Sequence, residues 1–237
     1  MFRIRVADLN IEIQNRYPYT EKLCREFLAE FEEPDITVCV TEEELAAERE
    51  VDMYHSTDGY IESICIYRQI ALELARFDGM VFHASVVALD GEAYAFAAHS
   101  GTGKSTHTDL WLRVFGERAE IINGDKPIFR LIDGKWYAFG TPWRGKEALG
   151  GNCHAPLKAI CFLERGKENV AAPLNAVSAV SRLFSQVLMP RDPEKADKHL
   201  GLLDDLMTKT PTYLLHCNML PEAALVSYEA MSTTKEI

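Results

Sequence analysis

Apolar and polar positions alternate with two different periods along the chain, and the change of period marks its elements. Ile4 to Ile13 predicts a short hairpin or two strands, Tyr19 to Glu32 a helix, and the β-branched run from Asp35 to Val40 a strand. Thr41 followed by Glu42, Glu43 and Glu44 has the form of a helix cap with an acidic first turn. From Asp58 to Phe77 the apolar residues Ile61, Ile64, Ile70, Leu74 and Phe77 recur at helical spacing, and Asp78-Gly79 predicts the stop.

The texture then changes. Two apolar runs, His83–Leu89 and Glu92–Ala97, flank Asp90-Gly91, a strong hairpin signal because both turn positions require positive φ. A glycine-rich stretch follows at once, and His107 to Phe115 reads as a helix closed by Gly116. Ala119 to Asn123 predicts a strand ending at Gly124-Asp125, and Pro127–Ile132 with Lys135–Phe139 a second hairpin turning at Asp133-Gly134. Gly140 to Gly145 is a loop by its glycine and proline content. Leu157–Leu163 and Thr212–Cys217 predict strands, and Val177–Leu188, Pro193–Met207 and Glu222–Met231 helices. The whole is an α/β protein, with residues 1–79 as a small N-terminal α/β segment and 80–237 as the domain around the glycine-rich loop.

Composition adds limits. Hydrophobic residues are 47% and charged ones 26% of the 237, so a core of useful size is available. The formal charge of −11 disfavours nucleic acid and anionic membrane as partners, and requires a local positive feature wherever an anion binds. The N-terminus has Arg3, Arg5 and Asp8 in place of an apolar signal region, and no run of about 18 uncharged apolar residues occurs, which predicts a cytoplasmic location. Cys24, Cys39, Cys65, Cys153, Cys161 and Cys217 form no Cys-x-x-Cys pair and sit mostly in apolar stretches, so buried reduced thiols are expected.

Ser100-Gly101-Thr102-Gly103-Lys104-Ser105-Thr106 carries the candidate chemistry. A phosphate cradle needs backbone N–H groups facing one concavity, a lysine for the β- and γ-phosphates and a hydroxyl for Mg²⁺. Gly101 and Gly103 supply the permissive backbone, Lys104 the charge and Ser105 the hydroxyl, with the following helix directing its positive end at the phosphates. Ala98 stands where the usual pattern has its first glycine. Phosphoryl transfer also needs a carboxylate near the metal or the attacking group, and Asp125, at a strand end beyond the loop, fits; Lys126 could pair with it or reach a phosphate.

The hairpin, the Ser-Gly-Thr-Gly-Lys-Ser-Thr loop and the strand ending in Asp125 together resemble HPr kinase/phosphorylase-type domains and, more distantly, ATP-dependent phosphoenolpyruvate carboxykinases, over about residues 80–165. The resemblance implies a P-loop kinase fold with a mixed, partly antiparallel sheet and flanking helices. It also implies Lys104 as the phosphate lysine, Ser105 as the magnesium hydroxyl, Asp125 as base or metal ligand, and His83 near the transferring phosphate. Two departures stand out: Gly124-Asp125 replaces the family's Asp-Asp pair, and Gly140-Thr-Pro-Trp-Arg-Gly-Lys146 lies where the HPr kinase signature would be. HPr is therefore not the expected acceptor.

Arg144, with Lys146 on the same glycine-flanked loop, is a further catalytic candidate, since a cation there could stabilise the transferring group. Trp143 suits either ligand stacking or packing, and His99 and Arg165 could approach a phosphate or base. The expected function is an ATP- and Mg²⁺-dependent kinase acting on a hydroxyl of a small molecule or peptide, without nucleic-acid or membrane partners; homo-oligomerisation is left open. The rivals are a carboxykinase-like enzyme and a nucleotide-binding regulatory module without chemistry.

Overall fold

The computed structural model describes residues 1–99 and 101–233. Strands β1 (Phe2–Val6) and β2 (Leu9–Gln14) form a hairpin, followed by α1 (Pro18–Leu23), β3 (Ile36–Cys39), α2 (Glu42–Val51) and α3 (Asp58–Glu73). The three strands make a small sheet in which β3 joins β2 in parallel. Thr41 caps α2 through a complete capping box with Glu44, as the acidic run after it predicts. Apolar side chains of this sheet pack on α3 in one core, which continues onto Ile128, Phe139 and Trp143 of the rest of the chain.

The second sheet runs β4 (Gly79–Val81), β8 (Ile128–Ile132), β9 (Lys135–Phe139), β10 (His154–Arg165), β6 (Glu92–Ala97), β5 (Ser85–Leu89), β7 (Ala119–Asn123). Strand β12 (Thr212–Cys217) adds to β10 in parallel, and β11 (Val170–Pro173) to β12. Parallel and antiparallel pairs are mixed: β6 runs antiparallel to β5 but parallel to β10. Helices α5 (Ala176–Phe184) and α6 (Pro193–Lys209) contribute to the core on one face, while α4 (Lys104–Phe115) and α7 (Glu222–Ser232) contribute to that on the other.

Alternation within β5 and β6 serves both layers at once. Ala93, Ala95 and Ala97 face the α5/α6 side, whereas Tyr94 and Phe96 face α4 and α7. Both faces are dry, which is why these strands read as nearly continuous apolar runs. The turns Asp90-Gly91 (φ 52° and 83°) and Asp133-Gly134 (φ 49° and 77°) have the paired positive φ of the expected tight hairpins.

Several boundaries differ from expectation. The helix expected over Tyr19–Glu32 stops at Leu23, with a single 3-10 turn at Arg25–Phe27. The chain then lies along β1, where Leu28 bridges Ile4 and the Ala29 amide donates to the Arg3 carbonyl at 3.1 Å. The open edge of β1 supplies the backbone partners that further helical turns would have given. Helix α4 begins at Lys104, three residues before His107, because Gly103 takes the cap position with φ 124°. Helix α5 ends at Phe184 and not Leu188, since Val187 pairs with Phe82 and the Gln186 carbonyl accepts from the His83 amide at 2.8 Å. Strand β10 extends at both ends: residues 154–156 pair with β9, and residues 160–165 with β12. Of the cysteines, Cys24, Cys65 and Cys161 are buried as expected, while Cys39 is exposed.

His107 fastens α4 to α7. The Ser227 hydroxyl donates to the Ala224 carbonyl at 3.0 Å, leaving its oxygen to accept from Trp111 Nε1 (2.9 Å) and His107 Nε2 (3.1 Å). The proton of neutral His107 therefore sits on Nε2, and buried Nδ1 has no partner among the described residues. Burial pushes the imidazole pKa down from 6.5 to about 4. A depressed folded pKa means that stability is complete above pH 6.5 and is lost as pH falls towards 4, because the unfolded chain takes the proton first. This one residue should remove about 3 kcal/mol of unfolding free energy across that window. Urea titrations of His107→Gln between pH 7 and 4 should show a correspondingly smaller pH slope than the parent; identical slopes would refute the assignment.

Candidate phosphate-binding and transfer site

The sheet registers bring one set of strand ends together. Ser85 pairs with Phe96, Val86 with Asn123, and Phe162 with Ala97. The start of β5 and the ends of β6, β7 and β10 thus share one edge of the sheet, placing His83, the glycine-rich loop, Asp125 and the end of β10 around a common point. No local signal links these segments; the pairing does.

The loop between β6 and α4 has the features of an anion seat. Gly103 occupies a backbone region (φ 124°, ψ 28°) that L side chains rarely adopt, and it offers no side chain to cap α4. The first amides of α4, at Lys104, Ser105 and Thr106, therefore lack intrahelical partners, at the positive end of the helix dipole. Gly101 and half-buried Thr102 form the tip, where the Thr102 amide donates to the His99 carbonyl at 3.1 Å. Ser100 lies outside the described residues. Ser105 is half-buried and Thr106 exposed, both on the first turn.

Lys104 folds back over the loop. Its ammonium donates to the Ala98 carbonyl at 3.2 Å and lies 3.1 Å from His83 Nε2. The same His83 nitrogen is 3.2 Å from Asp125 Oδ1, and Lys126 Nζ is 3.4 Å from Asp125 Oδ2. One nitrogen cannot serve both neighbours in one protonation state. Bare Nε2 accepts from Lys104, whereas protonated Nε2 donates to Asp125. Drawing Lys104 away would free Nε2 to carry a proton and donate to Asp125. Burial lowers the Lys104 pKa, opposed by the Asp125 charge. Burial alone would raise the Asp125 carboxyl, but the His83 hydrogen bond and the Lys126 charge outweigh it, so its pKa lies below the usual carboxylate value.

The turn that carries Asp125 is held through its own backbone by side chains. Asn123, fully buried, accepts the amides of Asp125 (2.9 Å) and Lys126 (2.8 Å) through Oδ1 and donates through Nδ2 to Thr141 Oγ1 (3.0 Å). Tyr67 of α3 donates its hydroxyl to the Lys126 carbonyl at 2.7 Å, so the first seventy residues support this turn. Neither Asn123 nor Tyr67 stands out in the sequence; an Asn-Gly-Asp turn signal is the only local hint.

Gly124 shows why a second carboxylate is missing. A Cβ there would lie 2.8 Å from the Arg144 carbonyl and 3.4 Å from that of Leu149. The backbone of the 144–149 loop fills the space a side chain would need.

Arg144 is not brought to this cluster. Its guanidinium pairs with Glu26, donates to the Thr141 carbonyl at 3.3 Å and covers the Phe27 ring at 5.4 Å. Trp143 packs, stacked on Tyr67 at 4.0 Å and donating to the Ser63 carbonyl at 3.2 Å. Arg165, by contrast, reaches the loop tip and donates to the Gly101 carbonyl at 2.7 Å. A cleft of about 840 Å³ opens between that tip, the end of β10 and α5.

Among the described residues no group of three or more His, Cys, Asp or Glu side chains forms a metal cluster. Ser105 and Asp125 are the residues whose chemistry could hold a magnesium ion, which needs only one or two protein ligands beside phosphate oxygens. Among the same residues no helix is long and apolar enough to cross a membrane.

No protein-family model matches the chain, and no curated protein matches it. Among solved structures it is similar to the HPr(Ser) kinase/phosphatase from Coxiella burnetii, with 10% identity and a TM-score of 0.39, over 64% of this chain and 95% of that one. The architecture by itself is a mixed α/β fold with a mixed sheet and flanking helices.

Proposed function

We propose that this protein is an ATP-dependent kinase of the P-loop type, acting on a hydroxyl-bearing small molecule or peptide with Mg²⁺ as cofactor. One observation carries the reading: Lys104 opens a helix whose N-terminus has no side-chain cap, and its ammonium is within hydrogen-bond distance of His83, which in turn reaches Asp125. Residues 80–237 would form the catalytic domain, and residues 1–79 would support it through Tyr67 and Glu26.

Lys104 and the amides of Gly101 and of Gly103 to Thr106 would hold the β- and γ-phosphates, and Ser105 with Asp125 would hold the metal. When bound, magnesium supplies charge neutralisation across the phosphate oxygens. Asp125, oriented by His83, takes the acceptor's hydroxyl proton as the acceptor oxygen bonds to the γ-phosphorus. The bond from that phosphorus to the β–γ bridging oxygen breaks, and its electron pair leaves with ADP. Placement and charge account for most of such a reaction, so a sparse set of groups suffices.

The cramped Gly124 favours one alternative, a nucleotide-binding module without chemistry, because a single carboxylate must serve both metal and proton. Incubation with γ-labelled ATP, Mg²⁺ and a cell extract separates the two. A labelled phosphomonoester formed by the parent protein and not by Asp125→Asn supports the kinase; tight ATP binding with no transfer supports the module.

A further inference from the structure

The cleft beside the loop tip differs in chemistry from the Lys104 cluster and adjoins it. Its walls include Ala98, whose carbonyl receives Lys104 Nζ, and Gln186, whose carbonyl receives the His83 amide. It therefore opens at the end of the loop where lysine and histidine meet, the end that would hold the γ-phosphate. Lys104, His83 and Asp125 are not themselves on its walls; Ala98 and Gln186 link the cleft to them.

Charge and hydrogen bonding narrow the ligand. Two guanidinium groups, Arg165 and Arg182, face one carboxylate, Glu164, in a chain of net charge −11. Arg182 Nη2 donates to Glu164 Oε1 at 2.6 Å, and Arg165 is tied to the Gly101 carbonyl, so the wall keeps an excess of donors over acceptors. Gln186, 8% exposed, donates from Nε2 to Ser185 Oγ at 2.8 Å, and its Oε1 is buried without a hydrogen-bond partner among the described residues. A flipped amide gains nothing, because the Ser185 hydroxyl already donates to the Arg182 carbonyl at 2.7 Å. The wall thus offers guanidinium donors for an anion.

We infer that this cleft is the acceptor site, and that it takes a small hydroxy acid whose carboxylate meets Arg182 and whose hydroxyl points to the γ-phosphate. The inference rests on the kinase reading and adds the class of acceptor. Transfer follows the same balance: the acid's hydroxyl oxygen gains the phosphoryl group, its proton goes to Asp125, and ADP leaves.

The test pairs D-glycerate, L-lactate and L-serine with their amides, which lack the carboxylate charge, using γ-labelled ATP and Mg²⁺. At least one acid should exceed its amide by about tenfold in kcat/KM, the scale of one charge-assisted contact. Arg182→Gln should shrink that preference to within about threefold while the KM for ATP moves less than about twofold. Arg182→Lys, keeping the charge, should retain part of the preference, and thermal melts check that both variants fold. Glu164→Gln, which frees Arg182 from its partner, should lower the KM for the acid; a merely structural ion pair would not do so. Equal use of acid and amide, use of none of the six, or a raised KM for ATP in Arg182→Gln with the acid preference intact would overturn the inference. Binding of a fluorescent N-methylanthraniloyl ATP is measured alongside. If that nucleotide binds and acids gain no advantage, only the acceptor class falls; if it does not bind, the kinase reading falls with it.

Discussion

Lys104→Ala should weaken ATP binding by about one to two orders of magnitude, the effect of losing a charge-assisted contact worth roughly 1.5–3 kcal/mol. Turnover should fall further, by about 10²–10³-fold beyond the affinity loss, because the charge on the transferring group rises along the reaction and a fixed cation counts most there. Stability of the free protein should move the other way or stay constant. The ammonium is half-buried, burial already lowers its pKa, and Lys126 adds a like charge nearby. Removing it costs two polar contacts, to Ala98 and His83, but ends the desolvation of a charge. Calorimetric titration with ATP and Mg²⁺, together with a thermal melt without ligand, reads both quantities. An unaltered ATP affinity in the alanine variant would leave the loop without a phosphate function.

The glycine-rich loop could be read from the sequence because its requirements are local. A strand, two glycines, a lysine, a hydroxyl and a helix all fall within residues 92–115, and the strand before the loop and the helix after it occur as expected. The tight hairpins at Asp90-Gly91 and Asp133-Gly134 were equally legible, since two consecutive residues with positive φ admit few side chains. What lay beyond reach was anything decided by pairing at a distance. Strand β10 changes neighbours along its length, and no periodicity announces that. Arg144 looked available on its loop, but Glu26, 118 residues earlier, takes its guanidinium. The helix expected from Tyr19 to Glu32 shortens because the edge of β1 competes for the same backbone groups.

His83 marks the boundary between the two kinds of knowledge. From sequence alone it was one of seven histidines, brought forward by a family resemblance. In the fold it is held by its backbone to Gln186 and by its ring between Lys104 and Asp125. Arg182 and Gln186 had no such sponsor. They sit on or just after a helix whose pattern signals only amphipathicity, and they become interesting only through the cleft they share with the loop tip.

Asp125→Asn separates chemistry from binding most sharply. The amide keeps the size of the side chain, and the turn that positions it is built from backbone amides on Asn123, so the fold should be preserved. Transfer to any acceptor should drop by about 10²–10⁴-fold, the usual span for a lost general base. Binding should respond to metal in the opposite sense. With Mg²⁺ absent, the carboxylate repels the phosphates, so the asparagine variant should bind metal-free ATP more tightly than the parent. With Mg²⁺ present, the parent gains affinity through its ligand and the variant gains little. The two curves of ATP affinity against magnesium concentration should therefore cross. Parallel curves would show that Asp125 does not hold the metal, and a turnover loss of less than about tenfold would show that it does not take the proton.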